Sequence, residues 1–74
     1  MYTKKYVSET VRLNIRKYRI ERKMTLQELA DKTGLTHGYV RDLECLSIDK
    51  TPSIDTLCRF ANALEIEIKL LFEE

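Results

Sequence analysis

Five neighbouring residues, His37, Gly38, Tyr39, Arg41 and Asp42, carry the side chains best suited to chemistry in this 74-residue chain. An arginine can donate two parallel hydrogen bonds to guanine, a histidine can offer one to an acceptor, and an aspartate can accept from cytosine. Residues three and four apart share a helix face, so His37 and Arg41 can point into one major groove. Gly38 between them would let a helix sit close to a base or sugar. The chemistry on offer is recognition rather than catalysis. His37 is the only histidine, no serine or cysteine nucleophile stands at a useful spacing from it, and no glycine-rich phosphate loop occurs, so no enzymatic activity is expected. Cys45 and Cys58 are too few and too far apart for a disulfide framework or a zinc set, so neither metal nor cofactor is expected. Both thiols are expected to be reduced, Cys45 near a helix end and Cys58 half-buried on a helix. No small-molecule ligand is evident.

Holding those five residues requires two short helices and a tight turn. Leu26, Leu29, Ala30 and Thr33 follow the spacing of an amphipathic helix. Thr25 and Glu28 form a capping box at its start, and Gly34 supplies the positive φ that ends it. Leu35 then plugs the corner, Thr36 caps the next helix, and Val40 and Leu43 give that helix an inward face. The outward face is left to His37, Gly38, Tyr39, Arg41 and Asp42.

The run Thr25, Glu28, Leu29, Ala30, Gly34, Leu35, Thr36, Val40, Leu43 and Glu44 resembles the helix-turn-helix of the lambda-repressor/Cro type, the XRE family. That resemblance implies an all-α, five-helix, lambda-repressor-like DNA-binding domain. It implies a sequence-specific transcriptional regulator that binds double-stranded DNA as a homodimer on a two-fold operator. The helix-turn-helix occupies residues 25–44, with Thr25, Gln27, Thr36, His37, Gly38, Tyr39, Arg41, Asp42 and Lys50 as the expected DNA contacts. The family commonly pairs an arginine on its first helix with a glutamate closing the reading helix, which here are Arg19 and Glu44. Two departures stand out. Leu26 occupies a place where the family commonly has a phosphate-binding glutamine, so that contact is expected to pass to Thr25, Gln27 and backbone amides. Leu46 stands where a glycine is common, which leaves Ser47 and Lys50 as the loop's candidates for phosphate.

Composition bounds the remaining possibilities. At 43% apolar and 34% charged, with two glycines and one proline, the chain suits a helical protein with few turns and is not expected to be disordered. At this length one domain, with no separate sensor, is expected. No apolar run approaches the roughly 18 residues of a membrane span, and the N-terminus lacks a signal-peptide stretch, so a cytoplasmic location is expected. The net charge of +1 hides an asymmetry: ten basic against four acidic side chains up to Arg41, and three against eight from Asp42 onward. A basic half carrying the motif suits a DNA-facing surface.

The ends are read as follows. Residues 1–7 form an arm, Ser8 caps the first helix, and Val11, Ile15 and Tyr18 face the core. Leu13 and Ile20 lie on another face, so that helix is expected to be covered on more than one side. Pro52 and Ser53 open a helix whose core stripe is Ile54, Leu57, Ala61 and Leu64, with Phe60 beside it. Residues 66–74 form the tail. Ile66, Ile68 and Leu70 alternate like a strand, whereas the resemblance implies a short fifth helix. The apolar side chains there, Ile68, Leu71 and Phe72, are candidates for dimerisation. The competing reading is an interaction module, an antitoxin-like subunit gripping another protein through that tail.

Overall fold

Helices α1 (Lys4–Glu21), α2 (Leu26–Thr33), α3 (His37–Glu44) and α4 (Ile54–Leu64) are followed by a 3-10 helix at Ile68–Phe72, in a computed structural model that describes residues 1–74. The all-α architecture and its five helical elements agree with the sequence. The local chemistry of the turn is also as read. Thr25 Oγ1 accepts from the Glu28 amide at 3.0 Å while Glu28 Oε1 accepts from the Thr25 amide at 2.8 Å, closing the capping box. Gly34 sits at φ +75°, a conformation that glycine adopts without strain, and a Cβ there would come within 3.2 Å of Arg59 Nη1 and push that side chain slightly aside. Thr36 Oγ1 accepts from the Tyr39 amide at 3.1 Å and Ser53 Oγ from the Thr56 amide at 3.1 Å, which starts α3 and α4.

All five elements close around one apolar core. Val11 and Ile15 come from α1, Leu29 and Ala30 from α2, and Val40 and Leu43 from α3. Leu57, Phe60, Ala61 and Leu64 come from α4, and Leu71 from the 3-10 helix. Each fully buried large side chain stabilises the fold by about 1.5–3 kcal/mol relative to exposure. Val7, Tyr18, Met24, Leu26 and Leu35 pack against this core from its edge.

Several expectations are corrected. The first helix starts at Lys4 and not after Ser8: Thr3 Oγ1 accepts from the Tyr6 amide at 3.0 Å, so most of the expected arm 1–7 is helical. Ser8 is buried inside α1, where its hydroxyl donates to the Lys50 carbonyl at 3.2 Å. Leu13 and Ile20 are each 52% exposed, so α1 is covered on one side only. Ile54, placed in the core stripe, is 72% exposed because it is the first residue of α4 and precedes the turn that packs. Cys58 is exposed and not half-buried. In the tail, helix prevails over strand: Asn14 Nδ2 donates to the carbonyls of Leu71 and Glu73 at 2.8 and 2.7 Å and fastens the segment to α1. Leu71 is consequently fully buried in this one chain, and its side chain is not available to seal an interface.

The tie between α1 and α3 is a buried arginine. Arg12 is 3% exposed and meets no carboxylate; its guanidinium is surrounded by backbone carbonyls. Nε donates to Leu43 at 2.6 Å and Nη1 to Lys50 at 3.0 Å. Nη2 is shared among Asp42, Cys45 and Ile48 at 3.1, 2.7 and 2.8 Å. Those carbonyls belong to the last turn of α3 and to the loop after it, where a positive charge also complements the helix dipole.

Two outcomes are expected. Arg12→Ala leaves a set of half-buried carbonyls without donors and should cost about 3 kcal/mol in urea denaturation; a loss below about 1 would mean that water replaces the guanidinium without penalty. Arg12→Lys keeps the charge but not the planar fork and should recover only part of the loss. The capping box should respond to pH. Hydrogen bonds from the Thr25 amide, and from its side chain, hold the Glu28 carboxyl below its ordinary range. A carboxyl lowered by folding contributes its stabilisation above the ordinary carboxylate range and loses it as pH falls through the folded value. The gap in Tm between the wild type and Glu28→Ala should therefore be full at neutral pH and shrink on acidification; a gap independent of pH would deny the box its charged acceptor.

Candidate nucleic-acid interface

A helix that presents its outer face to a partner must hold it still, and α3 is capped at its start and tied to α1 at its end. Thr36 caps its start, while its last residue, Glu44, accepts two hydrogen bonds from Arg19: Nε to Oε2 at 2.7 Å and Nη2 to Oε1 at 3.0 Å. The two side chains are 15% and 8% exposed. Arg19 Nη1 also donates to the Met24 carbonyl at 2.7 Å, and Arg16 Nε lies 3.9 Å from Glu44 Oε1. The pair is thus a bidentate brace between α1 and α3. Arg12 holds the carbonyls of the same last turn.

Between those ties lies the outward face. His37 and Arg41 are exposed, Gly38 and Asp42 half-exposed. Arg41 Nε and Nη2 both donate to Asp42 Oδ1 at 3.2 Å. Tyr39 is half-buried with Lys50 Nζ 4.3 Å from its ring centre, so the loop lysine is brought against α3. A Cβ at Gly38 would meet only Arg41 Nη2, at an ordinary 3.6 Å, so nothing inside the protein calls for glycine there. Gly38 lies in the first turn of α3, and its missing side chain leaves the backbone open on the outward face.

Thr25 and Gln27 stand apart from this group, at the exposed start of α2. The Gln27 amide donates to Asp31 Oδ1 at 2.8 Å, and Leu26 turns partly into the core. At the far end of α3, Cys45 is exposed with Ser47 Oγ 3.1 Å from its sulfur, a hydrogen bond that lowers the thiol's pKa.

Reasoning from sequence missed Arg12, which was counted with the surface cations of the basic half. A signal was present. Positions 8, 11, 12 and 15 fall on one helical stripe, so an arginine at 12 points inward between Ser8, Val11 and Ile15.

Comparisons agree with this geometry. The Helix-turn-helix family model matches residues 15–71, which contain α2, α3, α4 and every core residue except Val11. Among solved structures, the restriction-modification controller protein C.AhdI from Aeromonas hydrophila superposes with a TM-score of 0.79 at 26% identity. The alignment covers 88% of this chain and 96% of that one. No curated protein matches the sequence.

The brace has a measurable consequence. Removing either partner strands the other in a nearly buried place, so Arg19→Ala and Glu44→Ala should each cost about 3 kcal/mol, against at most ~1 for an exposed pair. A double-mutant cycle in chemical denaturation isolates the coupling. A loss under ~0.5 kcal/mol for Arg19→Ala would mean that the pair holds nothing in place.

Proposed function

Since this chain belongs to the XRE-type helix-turn-helix family and is a DNA-binding regulator of transcription, we propose that it works as a homodimer that lays α3 of each copy into the major groove of a two-fold operator. The observation that carries this reading is the outward face of a helix whose end is fixed to α1 by Arg12 and Arg19. His37, Gly38, Arg41 and Asp42 offer donors, an acceptor and room for close approach, and none of them belongs to the core. In this reading Arg41 contacts guanine and His37 an adjacent acceptor, while Gly38 lets the backbone come near. Thr25, Gln27, Thr36, Tyr39 and Lys50 hold phosphates and set register, helped by amides at the start of α2. The likeness to a restriction-modification controller supports a regulatory role over an enzymatic one.

Dimerisation is proposed through the C-terminal face. Phe72 is 42%, Ile68 38% and Ile54 72% exposed. Phe72 and Ile54 border a groove of about 200 Å³ lined also by Val7, Val11, Pro52 and Leu57. Leu71 supports that face from inside the core.

Selection from random duplexes, followed by footprinting and a salt series, tests the reading. Binding should weaken steeply with salt because neutralised phosphates release counterions, whereas an apolar grip on a protein would not. Arg41→Ala should cost ~1–3 kcal/mol on the selected duplex and relax the preference at one base pair. Gly38→Ala should fold with equal or slightly higher stability and yet bind more weakly; undiminished binding by both variants would remove α3 from the groove. For the dimer, Ile68→Asp with Phe72→Asp should sediment as a folded monomer with reduced operator affinity. An unchanged mass would place the interface on another face.

A further inference from the structure

We propose, resting on the reading of α3 as the DNA-contacting helix, that Asp42 is the positioning residue that aims Arg41 at a guanine. Neighbouring residues on a helix do not normally face each other, so the contact between Arg41 and Asp42 is not a by-product of helical register. The Arg41 side chain, 61% exposed, bends across so that Nε and Nη2 both reach Asp42 Oδ1 at 3.2 Å. That contact uses the side edge of the guanidinium. The end edge, made by Nη1 and the second hydrogen of Nη2, stays free, and it is the edge that matches guanine O6 and N7 in a bidentate contact.

Gly38 completes the arrangement. The position its Cβ would take lies 3.6 Å from Arg41 Nη2, so the guanidinium rests over a glycine with the carboxylate beside it. An exposed ion pair adds little to stability, and the Asp42 side chain bonds to nothing else in the chain. Its role is to keep a long, flexible cation in one orientation before DNA arrives, so that less freedom is lost on binding. It also imposes selectivity: a base that cannot engage the end edge leaves a carboxylate near phosphates with no compensating contact.

The test uses the full chain and four duplexes that differ only at the base pair whose preference Arg41→Ala relaxes. Titration by fluorescence anisotropy gives the ratio of affinities for guanine over the other bases. Asp42→Ala should lower that ratio about fivefold or more and at the same time raise affinity for the three non-preferred duplexes, because a negative charge near phosphates is gone. Asp42→Asn, which keeps a neutral acceptor, should fall between. A merely structural role would lower affinity for all four duplexes together, and a thermal melt of each variant identifies that case. If Asp42→Ala raises all four affinities by one factor and leaves the ratio intact, Asp42 is only a repelling charge and the proposal fails while α3 remains a reading helix. If Arg41→Ala relaxes the preference at no base pair of the selected duplex, the reading of Arg41 as a base contact fails and this proposal with it.

Discussion

The geometry of this protein depends on one guanidinium that has no counter-ion. Arg12 lies inside the molecule and is solvated by the carbonyls of Asp42, Leu43, Cys45, Ile48 and Lys50. Burying an unpaired charge is among the costliest arrangements available, and it is tolerated here because backbone oxygens at a helix C-terminus act together as the counter-ion. The last turn of α3 and the loop after it cannot shift without stripping partners from that charge. The orientation of the reading face therefore follows from α1, a helix that does not itself belong to the helix-turn-helix.

The same device recurs. With two glycines in the chain, only α2 ends on a glycine, and several helix ends, that of α2 included, also receive side chains from elsewhere. Arg59 donates to the Thr33 carbonyl at 3.0 Å, Arg22 to the Glu65 carbonyl at 3.1 Å, and Asn14 to the end of the 3-10 helix. Where no glycine is present the backbone accepts strain, as at Glu65 with φ +56° after α4 and Lys23 with φ +56° after α1. Two cations of the basic half that looks from composition like a DNA-facing surface are therefore occupied inside the protein. Arg12 and Arg19 hold α3, which leaves the outward work to fewer cations than the charge asymmetry implies.

How much was legible follows the range of each interaction. The capping box, Gly34, Thr36 and the apolar faces of α2 and α3 are set by neighbours a few residues apart, and the sequence specifies them well. The Arg19 and Glu44 brace was reachable only through resemblance, because its partners are 25 positions apart. Thr3 displaced Ser8 as the first cap because the serine hydroxyl is used by the Lys50 carbonyl, a distant partner that local propensity does not register. The tail stayed open between strand and helix for a related reason. Ile66, Ile68 and Leu70 alternate like a strand, but Asn14 grips the carbonyls around Leu71 and turns that residue into the core, which a pattern of side chains alone does not reveal. Of the expected site, the α3 cluster and Lys50 lie together, Thr25 and Gln27 mark a separate helix start, and Leu71 belongs to packing.

The Arg12 network also bears on the order in which the molecule assembles. Its bonds join positions 30 to 38 residues apart, so none of them exists until the chain carrying α2 and the turn has closed on itself. Loop closure costs entropy before such distant contacts return any free energy. The helix-turn-helix can thus form locally from its caps and its own apolar contacts while the far end of α3 is still unanchored. The order of assembly this implies gives α3 a fixed orientation only once α1 has delivered both Arg12 and Arg19 to its last turn.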